Sequence, residues 1–285
     1  MNPVEVEGAG MALAITIESL TRNSGLPPLE TRMLIGQILK VSRSWMIAHD
    51  REPLTDEQVV QIRALIERRL GGEPMAYIMG EREFMGLTFE TSPAALIPRP
   101  ETELLVETAI DYVRENPRAN VLDLGTGTGV IAVSIARFCP GALVLATDKS
   151  PDALALARRN AEKHRTAQVR FLESDWFEGI PPQAFDLIVA NPPYIRRHDP
   201  HLQQGDLRFE PPMALTDYSD GLAAIRRIIA GSRSYLASGG QMWIEHGWDQ
   251  AEHVRYMLAK VGFTQVESRN DLSGIERISG GCFTI

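Results

Sequence analysis

The sequence predicts an α/β protein with a doubly wound, mostly parallel β-sheet, preceded by a small bundle of helices. Short runs rich in Val, Ile and Leu alternate with helical segments after residue 119, the order expected for parallel strands covered by helices on both faces. The last two strand-like segments, GFTQVESRND and ERISGGCFTI, have no helix between them and predict an antiparallel edge. Helical spacing of apolar residues predicts the bundle in residues 1–82.

The clearest helix of the predicted bundle is TDEQVVQIRALIERRLGG. Thr55 and Gln58 have the spacing of a capping box, apolar residues then recur on one face, and Gly71 ends the segment. Residues 83–98, EFMGLTFETSPAALIP, differ in character and predict a β-hairpin or an extended linker. The α/β domain is predicted for residues 99–285.

The strands predicted in this domain bring their carboxyl ends to one edge of the sheet, where ligands bind in open α/β folds. Their sequences are NVLDLG, LVLATD, VRFLES, FDLIVAN and QMWIEHG. A helix in RPETELLVETAIDYVREN precedes the first strand, with Pro100 in its first turn. We therefore expect the chemistry of the protein to reside in the residues that follow these strands.

Charge and cysteine content indicate which kind of partner the protein binds and in which cellular compartment it resides. The 285 residues include 29 Lys and Arg against 37 Asp and Glu, a formal charge of −8, which disfavours a broad grip on a phosphate backbone. Cys139 and Cys282 lack metal-like spacing, and no cluster of His, Cys and carboxylates suggests a metal, so we expect neither a metal nor a disulfide framework. The N-terminus lacks the features of a signal peptide or membrane span, and we expect a cytoplasmic protein without membrane contact.

A glycine-rich loop follows the first predicted strand in VLDLGTGTGVIAV. Gly125, Gly127 and Gly129 allow a tight turn and a close approach of a ligand, and the next helix offers its N-terminal amides. Asp148 ends the second strand, where a carboxylate can accept hydrogen bonds from both hydroxyls of a ribose. The spacing differs from the dinucleotide fingerprint and no P-loop lysine follows, so the loop predicts a nucleoside-bearing cofactor other than NAD or ATP. The alternative is a structural turn with a helix-capping aspartate.

The third strand ends at the same edge with ESDWF. Asp175 can accept a hydrogen bond from the amino group of an adenine, and Trp176 can pack on the ring. These residues would place the base of the cofactor beside its ribose. The alternative for Trp176 is that its indole only fills the core.

The fourth strand ends in the corner Asn191-Pro192-Pro193-Tyr194. Asn191 presents a side-chain carbonyl and Pro192 a backbone carbonyl without a competing donor, so two acceptors match the two hydrogens of an NH₂ group. Tyr194 offers a flat face to a planar group. Two acceptors aim a poorly nucleophilic nitrogen at an electrophile and favour its developing positive charge. The corner therefore predicts alkylation of a planar NH₂ group, and the alternative is a rigid Pro-Pro strand terminator.

Taken together, the glycine loop, Asp148 and the Asn-Pro-Pro-Tyr corner resemble those of class I S-adenosylmethionine-dependent methyltransferases that act on a planar amino nitrogen, which have a Rossmann-like sheet. The tetrapeptide occurs in enzymes for DNA adenine, RNA guanine and protein glutamine. Longer segments, in this order, are similar to the HemK/PrmC-type release factor glutamine methyltransferases over nearly the whole chain. These segments are GEPMAYIMGEREFMGLTF, LIPRPETE, NPPYI and DPHLQQGDLRFEP.

This resemblance implies S-adenosylmethionine as the cofactor, S-adenosylhomocysteine as its product, and no metal. It also assigns roles to the residues of the motifs. The cofactor-binding residues are expected to be Gly125, Thr126, Gly127, Thr128, Gly129, Asp148, Asp175, Trp176 and Asn191. The catalytic residues are expected to be Asn191, Pro192 and Tyr194, and these residues with Pro193 form the expected substrate pocket.

The implied substrate is the side-chain N5 of the glutamine in the Gly-Gly-Gln motif of class-1 peptide chain release factors, whose methylation modulates translation termination. The helical domain is expected to help dock that protein, and we expect a monomer with no direct nucleic acid contact. Two alternatives stay open: the same chemistry on DNA adenine or ribosomal RNA, and a non-catalytic cofactor-binding adaptor.

Several polar residues near the motifs have a weaker claim to a role. His246 at a strand end, and His198 and His201 in a loop, are assigned none, because a methylated amide nitrogen loses its proton readily to water. Arg99 and Glu103 could order a lid over the site, or they could be solvated charges at the start of a helix.

Overall fold

The structure, a computed structural model, describes residues 14–284, which fall into two compact units. The first unit ends at Met79 and the second begins at Gly80. Residues 1–13 at the start of the predicted bundle, and residue 285 at the end of the predicted α/β domain, lie outside the described residues.

The described part of the first unit is helical throughout its regular structure, as predicted. Its helices are α1 (Ile17–Asn23), α2 (Pro28–Leu39), α3 (Arg43–Ala48), α4 (Asp56–Leu70) and α5 (Met75–Met79). The predicted capping box of α4 is present, because the Gln58 amide donates to Thr55 Oγ1 at 3.2 Å and the Thr55 amide donates to Gln58 Oε1 at 3.0 Å. Leu34 and Ile62 are fully buried where the helices meet, which gives this unit its own apolar core.

A short antiparallel hairpin opens the second unit, with β1 at Glu81–Phe84 and β2 at Leu87–Glu90. Met85 and Gly86 form its turn, both with positive φ. The boundary that the sequence suggests after residue 82 would cut this hairpin, whereas the structure divides the chain before it. The physical reason is that β1 has only one buried side chain, so its strand character depends on pairing with β2.

The rest of the second unit alternates strands and helices. Its elements are α6 (Glu103–Glu115), β3 (Asn120–Leu124), α7 (Val130–Phe138), β4 (Leu143–Asp148), α8 (Pro151–Lys163), β5 (Val169–Glu173), β6 (Phe185–Ala190), α9 (Pro212–Leu215), α10 (Ala223–Ser232), β7 (Leu236–Glu245), α11 (Ala251–Lys260), β8 (Phe263–Asn270) and β9 (Glu276–Phe283). The predicted helix after Arg99 begins as a 3₁₀ turn at Pro100–Thr102 before α6 continues it.

These strands form one sheet in the order β5-β4-β3-β6-β7-β9-β8. The strands from β3 to β7 pair in parallel, whereas β9 pairs antiparallel with both β7 and β8, which confirms the predicted antiparallel edge. The sheet is buried on both faces: Leu187 and Val189 of β6 belong to one apolar core, and Ile188 and Ala190 belong to the other. This two-sided burial explains why the central strands read as continuous apolar runs. Among the described residues, no helix is long and apolar enough to cross a membrane.

Candidate active site at the carboxyl edge of the sheet

The carboxyl ends of β3, β4, β5 and β6 meet at an open cleft with an empty volume of about 930 Å³. The loops after these strands form its floor. Two further segments, residues 94–99 and 211–214, supply the remaining walls. The cleft therefore lies where the strand pattern predicts a ligand site, with walls that the pattern does not predict.

The glycine loop after β3 adopts a conformation that favours glycine. Gly125, Gly127 and Gly129 have φ of 74°, 55° and 84°, in the left-handed region. The amides of Gly125 and Thr126 both donate to the carbonyl of Thr147, each at 2.8 Å, which ties the loop to the end of β4. Gly125, Thr126, Gly127 and Thr128 line the cleft, so the structure brings four of the five predicted loop residues to its surface.

Gly129 lies beneath the loop and has a packing role. A Cβ at this position would lie 3.0 Å from Cβ of Ala157, so the absence of a side chain lets α7 begin directly against α8. Fully buried Asn160 completes this junction by donating to the carbonyls of Thr128 at 2.9 Å and Glu90 at 3.1 Å. Asn160 therefore links the hairpin to the glycine loop, which sequence reasoning missed.

Asp148 lies at the end of β4 and on the wall of the cleft, as predicted. Its carboxylate oxygens accept the amides of Gly127 and Ser150, each at 2.9 Å. Burial raises the pKa of Asp148, and these backbone hydrogen bonds oppose the rise. Each oxygen keeps a further lone pair, so Asp148 can brace the glycine loop and accept hydroxyl groups from a ligand.

The loop after β5 contributes Asp175 and Trp176 to the cleft, as predicted. Trp176 has a positive φ of 54°, and a Cβ at Gly125 would lie 3.3 Å from its ring carbon Cζ3. The indole therefore covers the start of the glycine loop and also packs against the core. Asp175 accepts a hydrogen bond from Arg227 at 3.0 Å, which uses part of the acceptor capacity predicted for a ligand.

The Asn-Pro-Pro-Tyr corner follows β6, and its residues divide between the cleft and the interior. Asn191 and Pro193 line the cleft. Pro192 is buried, and Tyr194 is outside the cleft lining because its hydroxyl donates to Glu245 Oε1 at 3.1 Å. The Tyr194 ring is partly buried against the apolar core, and the contact of Tyr194 with a substrate stays a prediction.

Glu245 ends β7 beside this corner and is only 1% exposed. Burial raises the pKa of Glu245 to about 7, against the hydrogen-bonding effects of Thr102 and Tyr194. The pKa of Tyr194 is raised well above its usual value by burial and by the nearby Glu245. Thr102 also accepts the Asn191 side-chain NH₂ at 3.1 Å. Sequence reasoning missed Glu245, although it ends a predicted strand just as Asp148 does.

An ion pair joins the first of these wall segments to Glu210, the residue that directly precedes the second. Arg99 pairs with Glu210, whose side chain is fully buried, and Glu210 also accepts the amide of Ile97 at 2.9 Å. Burial raises the pKa of Glu210 and the Arg99 guanidinium opposes this rise. Glu103 accepts the amide of Met85 in the hairpin at 2.9 Å. Both residues are thus structural ties, so the interpretation as solvated charges is wrong for Arg99.

The histidines that sequence analysis set aside have ordinary environments. His246 is fully buried between the carbonyl of Gly247, at 2.9 Å, and the hydroxyl of Ser279, at 2.8 Å, and burial lowers its pKa. His198 and His201 are exposed and do not line the cleft. Within residues 14–284, no group of three or more His, Cys, Asp and Glu side chains lies together as a metal site would require.

The sheet order, with a glycine loop after β3 and an Asn-Pro-Pro-Tyr corner after the neighbouring strand β6, defines a class I methyltransferase. The family model of the methyltransferase small domain matches residues 100–205, which include both motifs. The PrmC N-terminal domain matches residues 12–80.

Full-length relatives narrow the class to one family. The release factor glutamine methyltransferase of Bordetella pertussis is 54% identical over 266 residues, which cover 93% of this chain and 98% of that protein. The protein of the same name from Escherichia coli is 45% identical over 255 residues, covering 90% of this chain and 92% of that protein. The chain belongs to the family of release factor glutamine methyltransferases.

Solved structures agree on the fold. A methyltransferase from Pyrococcus furiosus superposes with a TM-score of 0.52 at 19% identity, covering 77% of this chain and 98% of that chain. Identity at this level supports the Rossmann-like methyltransferase fold and no finer property.

Proposed function

We propose that the protein transfers a methyl group from S-adenosylmethionine to the side-chain N5 of the glutamine in the Gly-Gly-Gln motif of class-1 peptide chain release factors, and so modulates translation termination. The observation that carries the proposal is the corner itself. The Asn191 NH₂ group donates to Thr102, which leaves the Asn191 carbonyl oxygen as the acceptor at the cleft, beside the glycine loop.

The donor and acceptor groups of the cleft fit S-adenosylmethionine. The left-handed glycines let a ligand approach the backbone closely, Asp148 offers carboxylate lone pairs to ribose hydroxyls, and Trp176 offers an indole face to adenine. Asp175 supplies a further acceptor for the adenine amino group, shared with Arg227. When bound, this cofactor supplies an electrophilic methyl group on a positively charged sulfur.

The corner supplies what the chemistry requires of the protein. An amide nitrogen is a poor nucleophile because its lone pair is delocalised. Asn191 Oδ1 and the backbone carbonyl of Pro192 accept its two hydrogens, orient the nitrogen and favour the positive charge that develops on it. Pro193 closes the wall beside Asn191, and Tyr194 fixes the corner from inside through Glu245. The methylated nitrogen then releases its proton to water.

Family membership and charge favour a protein substrate. Relatives that match more than nine-tenths of this chain are named release factor glutamine methyltransferases. The formal charge of −8 is unfavourable for a nucleic acid backbone. We propose that the protein acts as a monomer in the cytoplasm, that it needs no metal, and that its helical domain helps to dock the release factor.

Mass spectrometry of a purified release factor, after incubation with enzyme and S-adenosylmethionine, tests this function. We expect one added methyl group on the glutamine of its Gly-Gly-Gln motif. A release factor with glutamate at that position lacks both N–H donors, so transfer to it should stop. Labelled methyl transfer to DNA and RNA is measured in parallel. Efficient labelling of nucleic acid, with the release factor unmodified, would overturn the proposal in favour of the nucleic acid alternative.

A further inference from the structure

Two side chains of the Asn-Pro-Pro-Tyr corner and two side chains behind it lie together. We call this group the corner relay: Asn191, Thr102, Tyr194 and Glu245. Thr102 is 2% exposed and Glu245 is 1% exposed, so water has almost no access to either. Asn191 donates to the Thr102 hydroxyl at 3.1 Å, and the Tyr194 hydroxyl donates to Glu245 at 3.1 Å. The Thr102 hydroxyl lies close enough to the Glu245 carboxylate to oppose the rise in its pKa.

When Glu245 is ionised, its carboxylate sets the direction of each hydrogen bond in the corner relay. A carboxylate only accepts hydrogen bonds, so the single hydrogen of each neighbouring hydroxyl points toward Glu245. Thr102 then has only lone pairs to offer Asn191, and Asn191 must turn its NH₂ group toward Thr102. The Asn191 carbonyl oxygen is consequently the atom left for the cleft.

A carboxyl group at this position is costly, and packing alone does not explain it. Burial disfavours its charge, and Glu101 repels it, whereas Arg277 in β9 attracts it. Its second oxygen, Oε2, has no hydrogen-bond partner in the described part of the chain. An apolar side chain would fill the same space without this cost.

We propose that Glu245 is a positioning residue for methyl transfer: through the hydroxyl of Thr102 it keeps the carbonyl oxygen of Asn191, rather than its NH₂ group, turned toward the amide nitrogen of the substrate. Tyr194 anchors the carboxylate in the orientation that this requires. The inference rests on the proposed function, in which the Asn191 carbonyl accepts a hydrogen from that nitrogen.

The substitution Glu245→Gln keeps the shape of the side chain but replaces a carboxylate oxygen with an NH₂ donor. The Thr102 hydroxyl can then accept from this new amide and donate to Asn191, so the Asn191 amide turns over and presents NH₂ to an NH₂ substrate. Thr102→Val keeps the shape of threonine but removes the hydroxyl that links Glu245 to Asn191. Thr102→Ser keeps the hydroxyl.

Single-turnover methyl transfer to the release factor, at saturating S-adenosylmethionine, tests the corner relay. We expect Glu245→Gln and Thr102→Val each to lower the rate at least about tenfold, the factor that corresponds to one lost hydrogen bond of this kind. Thr102→Ser should recover most of the rate. The double variant of positions 102 and 245 should be no slower than the slower single variant, because both changes break one path. Cofactor affinity, measured by calorimetry, should change less than about twofold, since the glycine loop, Asp148 and Trp176 are untouched.

The pH dependence distinguishes positioning from a purely structural role. Protonation gives Glu245 a donor and should act like the substitution by glutamine, so the wild-type rate should fall as pH is lowered. The charged groups that face Glu245 are Glu101 and Arg277, and Tyr194 faces it as a titratable hydroxyl. Glu245→Gln should lack this fall, whereas the exposed control Glu252→Gln in α11 should keep it.

Failure of this inference is separable from failure of the proposed function. Wild-type rates for both Glu245→Gln and Thr102→Val, with an inactive Asn191→Ala variant, would overturn the role of Glu245 and leave the function intact. No transfer to the release factor by the wild-type protein would overturn the function itself. If Glu245→Gln unfolds, as monitored by circular dichroism, the comparison of Thr102→Val with Thr102→Ser tests the inference instead. Equal rates of methyl transfer by these two variants would also overturn it.

Discussion

In the proposed function, Asn191 presents the acceptor on which the chemistry of the corner depends. Its NH₂ group is held by Thr102 at 3.1 Å, so its carbonyl oxygen is oriented before a substrate arrives. The loss of one preorganised transition-state partner typically costs about 10²–10³ in rate. We expect Asn191→Ala to lower single-turnover methyl transfer by at least about this factor even when cofactor is saturating.

Asn191→Asp separates the acceptor from the donor of the same side chain. It keeps an acceptor, loses the donor to Thr102 and adds a charge beside the sulfonium, so it should retain part of the activity. An Asn191→Ala enzyme that turns over at the wild-type rate would show that the corner is only a strand terminator.

In the proposed function, Asp148 both braces the glycine loop and binds the ribose, and the sequence indicates only the second of these tasks. Both oxygens already accept backbone amides, from Gly127 and Ser150, and ribose hydroxyls would use the remaining lone pairs. We expect Asp148→Ala to weaken S-adenosylmethionine binding at least about tenfold, because hydrogen bonds to charged groups contribute about 1.5–3 kcal/mol each. Calorimetry on the folded variant measures this. Asp152→Ala, an exposed aspartate in the next helix, is the matched control, and equal affinities for the two variants would remove Asp148 from the binding site.

At the scale of single residues, the sequence predicts the side chains that stand at the ends of buried strands. It does not predict the partners that distant segments of the chain bring to them. Asn191 and Asp148 lie on the cleft because each directly follows or ends a buried strand. Thr102 accepts a hydrogen bond from Asn191 across 89 residues of chain, and Glu210 pairs with Arg99 across 111 residues. No local pattern in the sequence encodes contacts of this length. Tyr194 points inward for the same reason, since its partner Glu245 lies on another strand.

At the scale of elements, the glycine loop depends on how closely α7 approaches α8. Gly129 has a φ of 84°, and a Cβ there would lie 3.0 Å from Cβ of Ala157. Gly86 in the hairpin has a φ of 72° with nothing within 4 Å of the same atom. The two glycines therefore share backbone strain on substitution, but only Gly129 adds a steric clash.

We expect Gly129→Ala to lower the free energy of unfolding by about 2–5 kcal/mol, the sum of left-handed strain and overpacking. Gly86→Ala should cost only the strain, about 1–2 kcal/mol. Urea unfolding, with linear extrapolation to water, measures both. Equal losses for the two variants would mean that α8 moves aside freely and that the close packing is not required.

Element order and type followed from the sequence because apolar periodicity and capping residues are local signals. The capping box of α4 and the antiparallel edge of the sheet are both present as predicted. The hairpin begins at Glu81, two residues before the predicted start, because its first strand carries a single buried side chain and has almost no pattern of its own. Of the cleft walls, residues 94–99 contain no helix or strand, and residues 212–214 belong to α9, a helix of four residues that is too short to show periodicity.

At the scale of the whole molecule, the sheet buries two carboxyl groups whose ionisation is coupled to folding. Asp123 in β3 and Glu245 in β7 are almost completely inaccessible, and burial raises both pKa values to about 7. Asp123 accepts the hydroxyl of Thr126 at 2.6 Å, whereas its other oxygen lacks a partner in the described part of the chain. The folded protein therefore holds a proton on these groups more tightly than the unfolded chain does.

The direction of the resulting pH dependence follows from linkage. A group whose pKa is raised on folding contributes its full stability below the unfolded pKa, and this contribution is lost as pH rises through the folded pKa. For Glu245 the rise is from 4.5 to about 7, which corresponds to roughly 3 kcal/mol across that interval. We expect the wild-type protein to become less stable relative to Glu245→Gln by up to this amount as pH rises through the interval.

Urea unfolding of both proteins across this pH range measures the difference in the free energy of unfolding. The exposed variant Glu252→Gln is the control, whose stability should stay parallel to that of the wild type. Parallel stability curves for the wild type and Glu245→Gln would show that Glu245 stays ionised in the folded protein throughout, held by Tyr194, Thr102 and Arg277.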